Sequence, residues 1–487
     1  MKITIRTLCF GLSVVTCLAV TATAQAEVTF NPIIIDNPDP QPNTGFGHGL
    51  APVGDVDGDG TPDFLVGARY QDVNGNVDQG RAYLFSGATL ELLLTIENPS
   101  LPGVGANFGR WVSAVGDITG DRVPDLLIGA PFQEIDGIFQ AGQAHVFSGS
   151  TGELVYTLDN PSPETKDHFG LVVSPAGDLN NDRVGDMFVG AHFKDIDGKI
   201  DQGQAYVFSG ATGELMLTLD TPKPIASAYF GFPVAHIGDL NGDNVPDLLV
   251  GATFHAANGN IRQGRAFAFS GATGELLHIL DDPFPHRGAK FGMALSPSDD
   301  IDGDAVPDII VGAQKQFDDW NRGQGMAFIF SGRTGKFLRA LSDPNPAPTA
   351  WFGTAVAGMA DVDGDRVGDV LVGAVFQEVD QNAQQGQAFL FSSVTGDLLY
   401  TFDNPFPQPD AGFGHQIVPI GDTNGDGVPE VLIGAFQQDV DSAPVRYCTT
   451  DGPPLQLLIQ NRYPDMEARS AGNEDQGQVF LFESRVQ

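Results

Sequence analysis

A nine-residue acidic segment recurs seven times along this chain, beginning at Asp55, Asp117, Asp178, Asp239, Asp300, Asp361 and Asp422. The first interval is 62 residues and the other five are 61. A period this regular marks one supersecondary unit used repeatedly, each copy burying its apolar face against its neighbours. Length alone would suggest about three domains. An array of repeats shares one continuous core instead, so residues 27–487 read as a single domain.

Each unit opens with Phe-Gly (Phe46, Phe108, Phe169, Phe230, Phe291, Phe352, Phe413), nine residues before its first Asp. A short, partly alternating stretch leads to the acidic segment, and an apolar run ending in Gly-Ala follows it, such as Phe64-Leu65-Val66-Gly67-Ala68. Such a run, bounded by turn signals, fits a strand buried on both faces. Asn-Gly or Asp-Gly pairs then mark a hairpin (Asn74-Gly75, Asp136-Gly137, Asp197-Gly198, Asn258-Gly259). A third strand alternates aromatic and small residues, as in Gly203–Phe208, and a fourth follows Thr-Gly-Glu, as in Leu215–Leu219. Four antiparallel strands per repeat and no helical periodicity predict an all-β fold, a seven-bladed β-propeller of four-stranded antiparallel blades.

The seventh repeat stops at its third strand, Gly477 to Phe482, while Ile33-Ile34-Ile35-Asp36-Asn37-Pro38 matches the fourth-strand ending Leu399–Pro405. The N-terminal strand is therefore expected to complete blade seven and close the ring, which removes a free sheet edge. Residues 1–26 carry Lys2 and Arg6, an apolar stretch from Leu8 to Val20 and Ala24-Gln25-Ala26, the pattern of a secretory signal peptide. The apolar run is shorter than the roughly 20 residues of a membrane anchor, and no later run is as long. A secreted chain is expected, whether extracellular, at the cell surface or periplasmic. Cys9 and Cys17 fall in that leader, leaving Cys448 alone and no internal disulfide; lipidation at Cys17 fits poorly behind Thr16. A segment of about residues 442–474 replaces a short turn in repeat seven and reads either as functional or as disordered.

Hard divalent cations take oxygen ligands, and the acidic segment supplies them at alternate positions. Position 1 is Asp55, Asp117, Asp178, Asp239, Asp300, Asp361 and Asp422; position 3 is Asp57, Thr119, Asn180, Asn241, Asp302, Asp363 and Asn424. Position 5 is Asp59, Asp121, Asp182, Asp243, Asp304, Asp365 and Asp426. Position 7 offers a backbone carbonyl from Thr61, Val123, Val184, Val245, Val306, Val367 and Val428, and position 9 is Asp63, Asp125, Asp186, Asp247, Asp308, Asp369 and Glu430. With Gly or Asn181 at position 4 to permit a left-handed turn, these residues are expected to wrap up to seven Ca²⁺ ions. The loop is not an EF-hand, since its closing acid is at 9 rather than 12 and it leads into a strand. The bland alternative is a metal-free Asp-Gly turn, against which three or four carboxylates in nine residues repel one another unless neutralised. The second loop is the weakest, with neutral Thr119 and nearby Arg122. A second acidic set, Asp72 to Asp78 and its counterparts, varies between repeats and reads as solvated hairpin tips.

Removing Lys2 and Arg6 with the leader takes the net charge from −37 to −39. That charge disfavours nucleic acid and anionic membranes as partners. The acidic loops hold 24 of the 62 acids, so more than a third of it lies where divalent cations could neutralise it.

Phe-Gly, Gly-Ala and the Asp-rich loop between them, in constant phase over about residues 28–487, resemble the FG-GAP repeat family, the seven-bladed propeller of integrin α subunits. The resemblance implies calcium in the acidic loops of one face and recognition on the other, hence a non-catalytic adhesion or ligand-binding module. The implied partner is an extracellular protein or glycan, and the chain is read as monomeric. Integrin leg domains and a large inserted ligand-binding domain have no counterpart, so a heterodimer is not implied. The variable face, with Trp320 and the long insertion, is the expected ligand surface; Trp111 and Trp351 read as core packing beside Phe-Gly. The alternatives are a propeller enzyme acting on extracellular polysaccharide, and a purely structural surface or matrix component. No His-Glu-x-x-His or Gly-x-Ser-x-Gly occurs, and the nine histidines have no metal-ligand spacing.

Overall fold

The computed structural model describes residues 28–100, 103–316, 323–439 and 475–486. Among them, 28 strands form seven four-stranded antiparallel sheets. The first blade consists of Phe46–Gly54, Asp63–Ala68, Arg81–Phe85 and Leu92–Glu97, and the pattern repeats through the sixth. First strands of successive blades pack side by side, and Phe413–Gly421 meets Phe46–Gly54 to complete the circle. The expected all-β, seven-bladed propeller is present. The leader, Cys448, Trp320 and the 442–474 segment lie outside the described residues.

The repeated motif has a steric origin. Each Phe of Phe-Gly is fully buried in a cluster shared by two blades, as where Phe291 packs with Leu249 and Ala266 of the preceding blade and Phe328 of its own. The glycine of Gly-Ala lies under the next blade's Phe-Gly turn: a Cβ on Gly67 would sit 1.8 Å from the Gly109 carbonyl oxygen. Gly109 itself has φ 80°, a conformation costly for any residue with a Cβ. The two glycines therefore let adjacent blades approach closely enough for the phenylalanines to interlock.

Closure occurs as expected. Val28–Ile35 pairs antiparallel with Gln478–Val486, from Val28 opposite Val486 to Ile35 opposite Val479. Beyond the strand, Gln478 Nε2 donates to Asp36 Oδ1 at 2.7 Å, as Gln387 Nε2 does to Asp403 in blade six at 2.6 Å. The Asn37 amide donates to Gln71 Oε1 at 3.0 Å, and Asn98 and Asn404 do the same to Gln133 and Gln438. The N-terminal segment thus reproduces the fourth-strand contacts of a covalently continuous blade.

At the place of that asparagine, blades four and five carry Asp282 and Asp343, both buried. Asp282 Oδ2 and Gln316 Oε1 are buried with no hydrogen-bond partner, and so are Asp343 Oδ2 and Gln377 Oε1. Two acceptors stand where blades one, six and seven have a donor and an acceptor. Burial, and then the Asp281 charge, push the Asp282 carboxyl up to about 6. A carboxyl whose folded pKa exceeds the unfolded value of about 3.9 contributes most at acid pH, and that contribution is lost as pH rises toward 6. Asp282→Asn should therefore stabilise the fold by about 1–3 kcal/mol at pH 7.5 and change little at pH 4. Denaturant unfolding at the two pH values checks this, and an equal effect at both would refute the electrostatic cause.

Candidate metal loops and the opposite face

The seven acidic loops join the first and second strands of their blades, so antiparallel topology places them together at one end of the ring. Each turns on its first Asp. Asp55 Oδ1 accepts the N–H of Gly58 at 2.7 Å and its Oδ2 that of Gly60 at 2.9 Å. In all seven loops the position-1 carboxylate accepts the position-6 N–H, at 2.6–2.9 Å. Position 5 accepts from two residues ahead in every loop, as Thr61 N–H to Asp59, and position 3 does so in five, as Asp59 N–H to Asp57. These bonds curl the chain so that the side-chain oxygens converge on its inside.

The sequence pointed to one left-handed position per loop, and the structure has two. Position 6 is left-handed throughout, at Gly60, Arg122, Arg183, Asn244, Ala305, Arg366 and Gly427. The composition concealed this because only two of the seven are glycine. Where Ala305 stands (φ 66°), its Cβ opposes the conformation by roughly 1–2 kcal/mol. The charge-assisted bond to Asp300 at 2.6 Å holds it there. Ala305→Gly should stabilise the chain by about 0.5–1 kcal/mol, and a thermal midpoint unchanged or lowered would refute the strain.

Position 9 is fully buried in every loop. Asp63 accepts the Val56 N–H through Oδ2 at 2.7 Å and the Gly87 N–H through Oδ1 at 2.9 Å. The second bond ties the loop to the turn after the third strand, and it recurs with Gly149, Gly210, Gly271, Gly332 and Ser393 as donors. Burial raises the carboxyls of the six position-9 aspartates, to about 6 at Asp247 and Asp308 and about 7 at Asp369. The position-9 acid is thus a structural tie whatever else it does.

Three carboxylates converge within 4.8 Å in four loops: Asp55, Asp57 and Asp63; Asp300, Asp302 and Asp304; Asp361, Asp363 and Asp365; Asp422, Asp426 and Glu430. In loops two, three and four, position 3 is Thr119, Asn180 or Asn241, and no such trio forms. The donor sets are all oxygen, as a hard cation requires. Asp426 Oδ2 is buried without any hydrogen-bond partner, an acceptor left open inside the seventh loop.

Two neighbours of the loops were not foreseen. Ser484 Oγ reaches Asp426 Oδ1 at 3.0 Å, the Val428 carbonyl at 3.1 Å and Glu430 Oε1 at 2.8 Å. It stands where blade one has Gly87, and Glu430 is the longer acid at position 9. In loop five, Arg333 Nε pairs with Asp304 Oδ2 at 3.2 Å, a cation already neutralising one carboxylate. Arg122, expected to weaken loop two, forms no ion pair among the described residues. Spacing within the nine residues could not reveal contacts that lie about 30 or more residues downstream.

The hairpin tips with the second acidic set lie at the other end of the ring, and Asp72 is exposed there. Trp111, partly buried, packs against the clusters that join blade three to blades two and four, as expected of core packing. Trp351 differs: its ring lies tilted against Phe376 with centroids 4.5 Å apart, and the Lys290 and Lys315 ammonium groups lie over it at 5.7 and 4.7 Å. It belongs to the end of the ring opposite the acidic loops.

The FG-GAP repeat family matches residues 46–85 and 108–147. Integrin alpha-5 of Xenopus laevis is 30% identical over 218 residues, 42% of this chain and 20% of that protein. Integrin alpha-8 of Gallus gallus is 27% identical over 254 residues, 49% of this chain and 22% of that protein. The similarity thus spans about a fifth of each relative's length. Among solved structures, BBS1N in complex with ARL6DN aligns over 82% of this chain and 93% of its own, at 11% identity and a TM-score of 0.47. Among the described residues no helix is long and apolar enough to cross a membrane.

Proposed function

Because the chain is an integrin α-like FG-GAP propeller, we propose that it is a secreted, non-catalytic adhesion or ligand-binding module, its acidic loops holding calcium and its opposite face recognising a ligand. The convergence of three carboxylates at equivalent places in four blades carries this reading. In the first loop Asp55, Asp57, Asp59, the Thr61 carbonyl and Asp63 would hold the ion, and the counterpart residues would do so in the other six. Bound calcium offsets the mutual repulsion of the acids and fixes the loop, so its role is structural. Recognition falls to the other end, where hairpin tips and blade-to-blade connections vary while the loop end repeats. The ligand is an extracellular protein or glycan, bound by a monomer.

Labelled mature chain, titrated onto intact cells of the source organism in millimolar calcium and again in chelator, tests the reading. Saturable binding in calcium that is lost in chelator is the expected result. Binding that rises linearly without saturation would instead indicate a structural surface component with no discrete ligand.

A further inference from the structure

At the end of the ring opposite the acidic loops, a cavity of about 790 Å³ opens between blades four and five. Arg262, Arg287, Lys290 and Lys315 line it, with Phe254 and Ile261. Among the described residues, four cations and no carboxylate thus surround one cavity in a chain of net charge −37. Among the described residues none of the four forms an ion pair. Three of them lie over aromatic faces instead: Arg262 lies 5.4 Å and Lys290 5.0 Å from the Phe254 ring centre, and Lys315 4.7 Å from that of Trp351. Burial, with the neighbouring Lys315 and Arg262 charges, lowers the Lys290 ammonium to about 8. This cluster is held together by packing and has no counter-ion among the described residues.

The repeat supplies its own control. At the place of Lys315 the other blades carry Tyr70, Phe132, Phe193, Phe254, Phe376 and Gln437. At the place of Arg262 they carry Asp78, Gln140, Asp201, Gly323, Gln384 and Asp475. No other blade has a lysine or arginine at the place of Lys290 or of Arg287; the nearest is His168, at the place of Lys290 in blade three. Nothing in the scaffold requires a cation at these four places, yet all four are cationic at one junction and nowhere else.

We propose that this cavity binds clustered oxyanions, such as the sulfate or carboxylate groups of an acidic ligand. Guanidinium forks and ammonium groups are the natural donors to such oxygens, and the volume suits a small ligand or one substituted residue of a polymer. Stacking on Phe254 and Trp351 pre-organises the cations, which lowers the ordering cost of binding. The inference rests on the reading that recognition lies at this end, and adds the chemistry of what is recognised.

Calorimetric titration of the calcium-loaded mature chain at low ionic strength, with sodium sulfate, dextran sulfate and neutral dextran as probes, tests it. Sulfate should bind saturably at one site and change Trp351 fluorescence, a change absent in Trp351→Phe. Tighter binding of dextran sulfate would identify a polymer-borne oxyanion as the source, and equal or weaker binding per group a free anion. Neutral dextran should not bind. Arg262 and Arg287 are both exposed, so R262Q/R287Q should keep its unfolding midpoint while weakening sulfate binding at least tenfold. Lys336→Gln, at the loop end, should leave it unchanged. No saturable sulfate binding, or binding undiminished in the double variant, would overturn the proposal. A chain that binds cells saturably but neither sulfate probe would overturn this cavity's role alone and leave the recognition reading standing.

Discussion

Adding calcium to the metal-free chain should raise its unfolding midpoint steeply through the low millimolar range, with about four to seven ions bound per chain. A site filled to 100 times its dissociation constant adds about 2.7 kcal/mol, and sites of the extracellular type saturate around 10⁻⁴ to 10⁻³ M. The effect should reach the whole ring, because each loop is tied by its position-9 acid to the turn after the third strand, and each blade shares its core with the next. The loops should not fill equally. Loops one and six gather three carboxylates with no basic side chain paired to them, whereas Arg333 occupies Asp304 in loop five. Loop two, with Thr119 at position 3, should be weakest. Asp361→Asn, which leaves the position-1 side chain one acceptor oxygen for the loop's N–H groups, should remove one ion and lower the calcium-loaded midpoint more than the metal-free one. Thermal unfolding with elemental analysis of bound metal decides the matter. No shift and no bound ion would leave the acidic turns as metal-free Asx ladders.

How much of this molecule was legible in its sequence depended on whether a constraint was local. Periodicity, the Phe-Gly and Gly-Ala marks and the displaced fourth strand at Ile33–Pro38 all report on neighbours in sequence or on a unit copied seven times. Copies can be compared with one another, so they are readable without coordinates. The second left-handed residue at position 6 was hidden because Arg122, Arg183 and Arg366 occupy it, held by a bond to the first Asp that no composition reveals. Ser484, Arg333 and the unmatched pairs at Asp282 and Asp343 are contacts across strands, and only the fold brings them together. Trp351 was read as core from its place beside Phe-Gly. The structure puts it beside two lysines 61 and 36 residues away. Where charge departs from the repeat, as at the basic cavity, the departure is visible only after the equivalent positions of all the blades are placed in one ring.

Deleting residues 28–38 should open that ring. The segment supplies eight paired residues along Gln478–Val486, and Phe30 packs against Tyr400 and Phe402 of blade six with ring centres 5.0 Å apart. Its carbonyl accepts the Tyr400 hydroxyl at 3.2 Å, and Asn37 anchors the far end to Gln71 of blade one. One strand therefore holds blade seven to both neighbours. Losing the burial of Phe30 and Ile35 alone costs about 2–3 kcal/mol each, and the exposed edge of Gln478–Val486 would invite pairing with other chains. The truncated chain should lose at least about 5 kcal/mol, most of the typical stability of a domain, and should aggregate. Phe30→Ala, which keeps the strand, should cost about 3–5 kcal/mol and stay monomeric. Adding a peptide of residues 28–38 in trans should restore a cooperative transition to the truncated chain. If instead the truncated chain unfolds at the wild-type midpoint, blade seven closes without this strand, and the N-terminal segment is an ornament on a ring sealed by the other six blades.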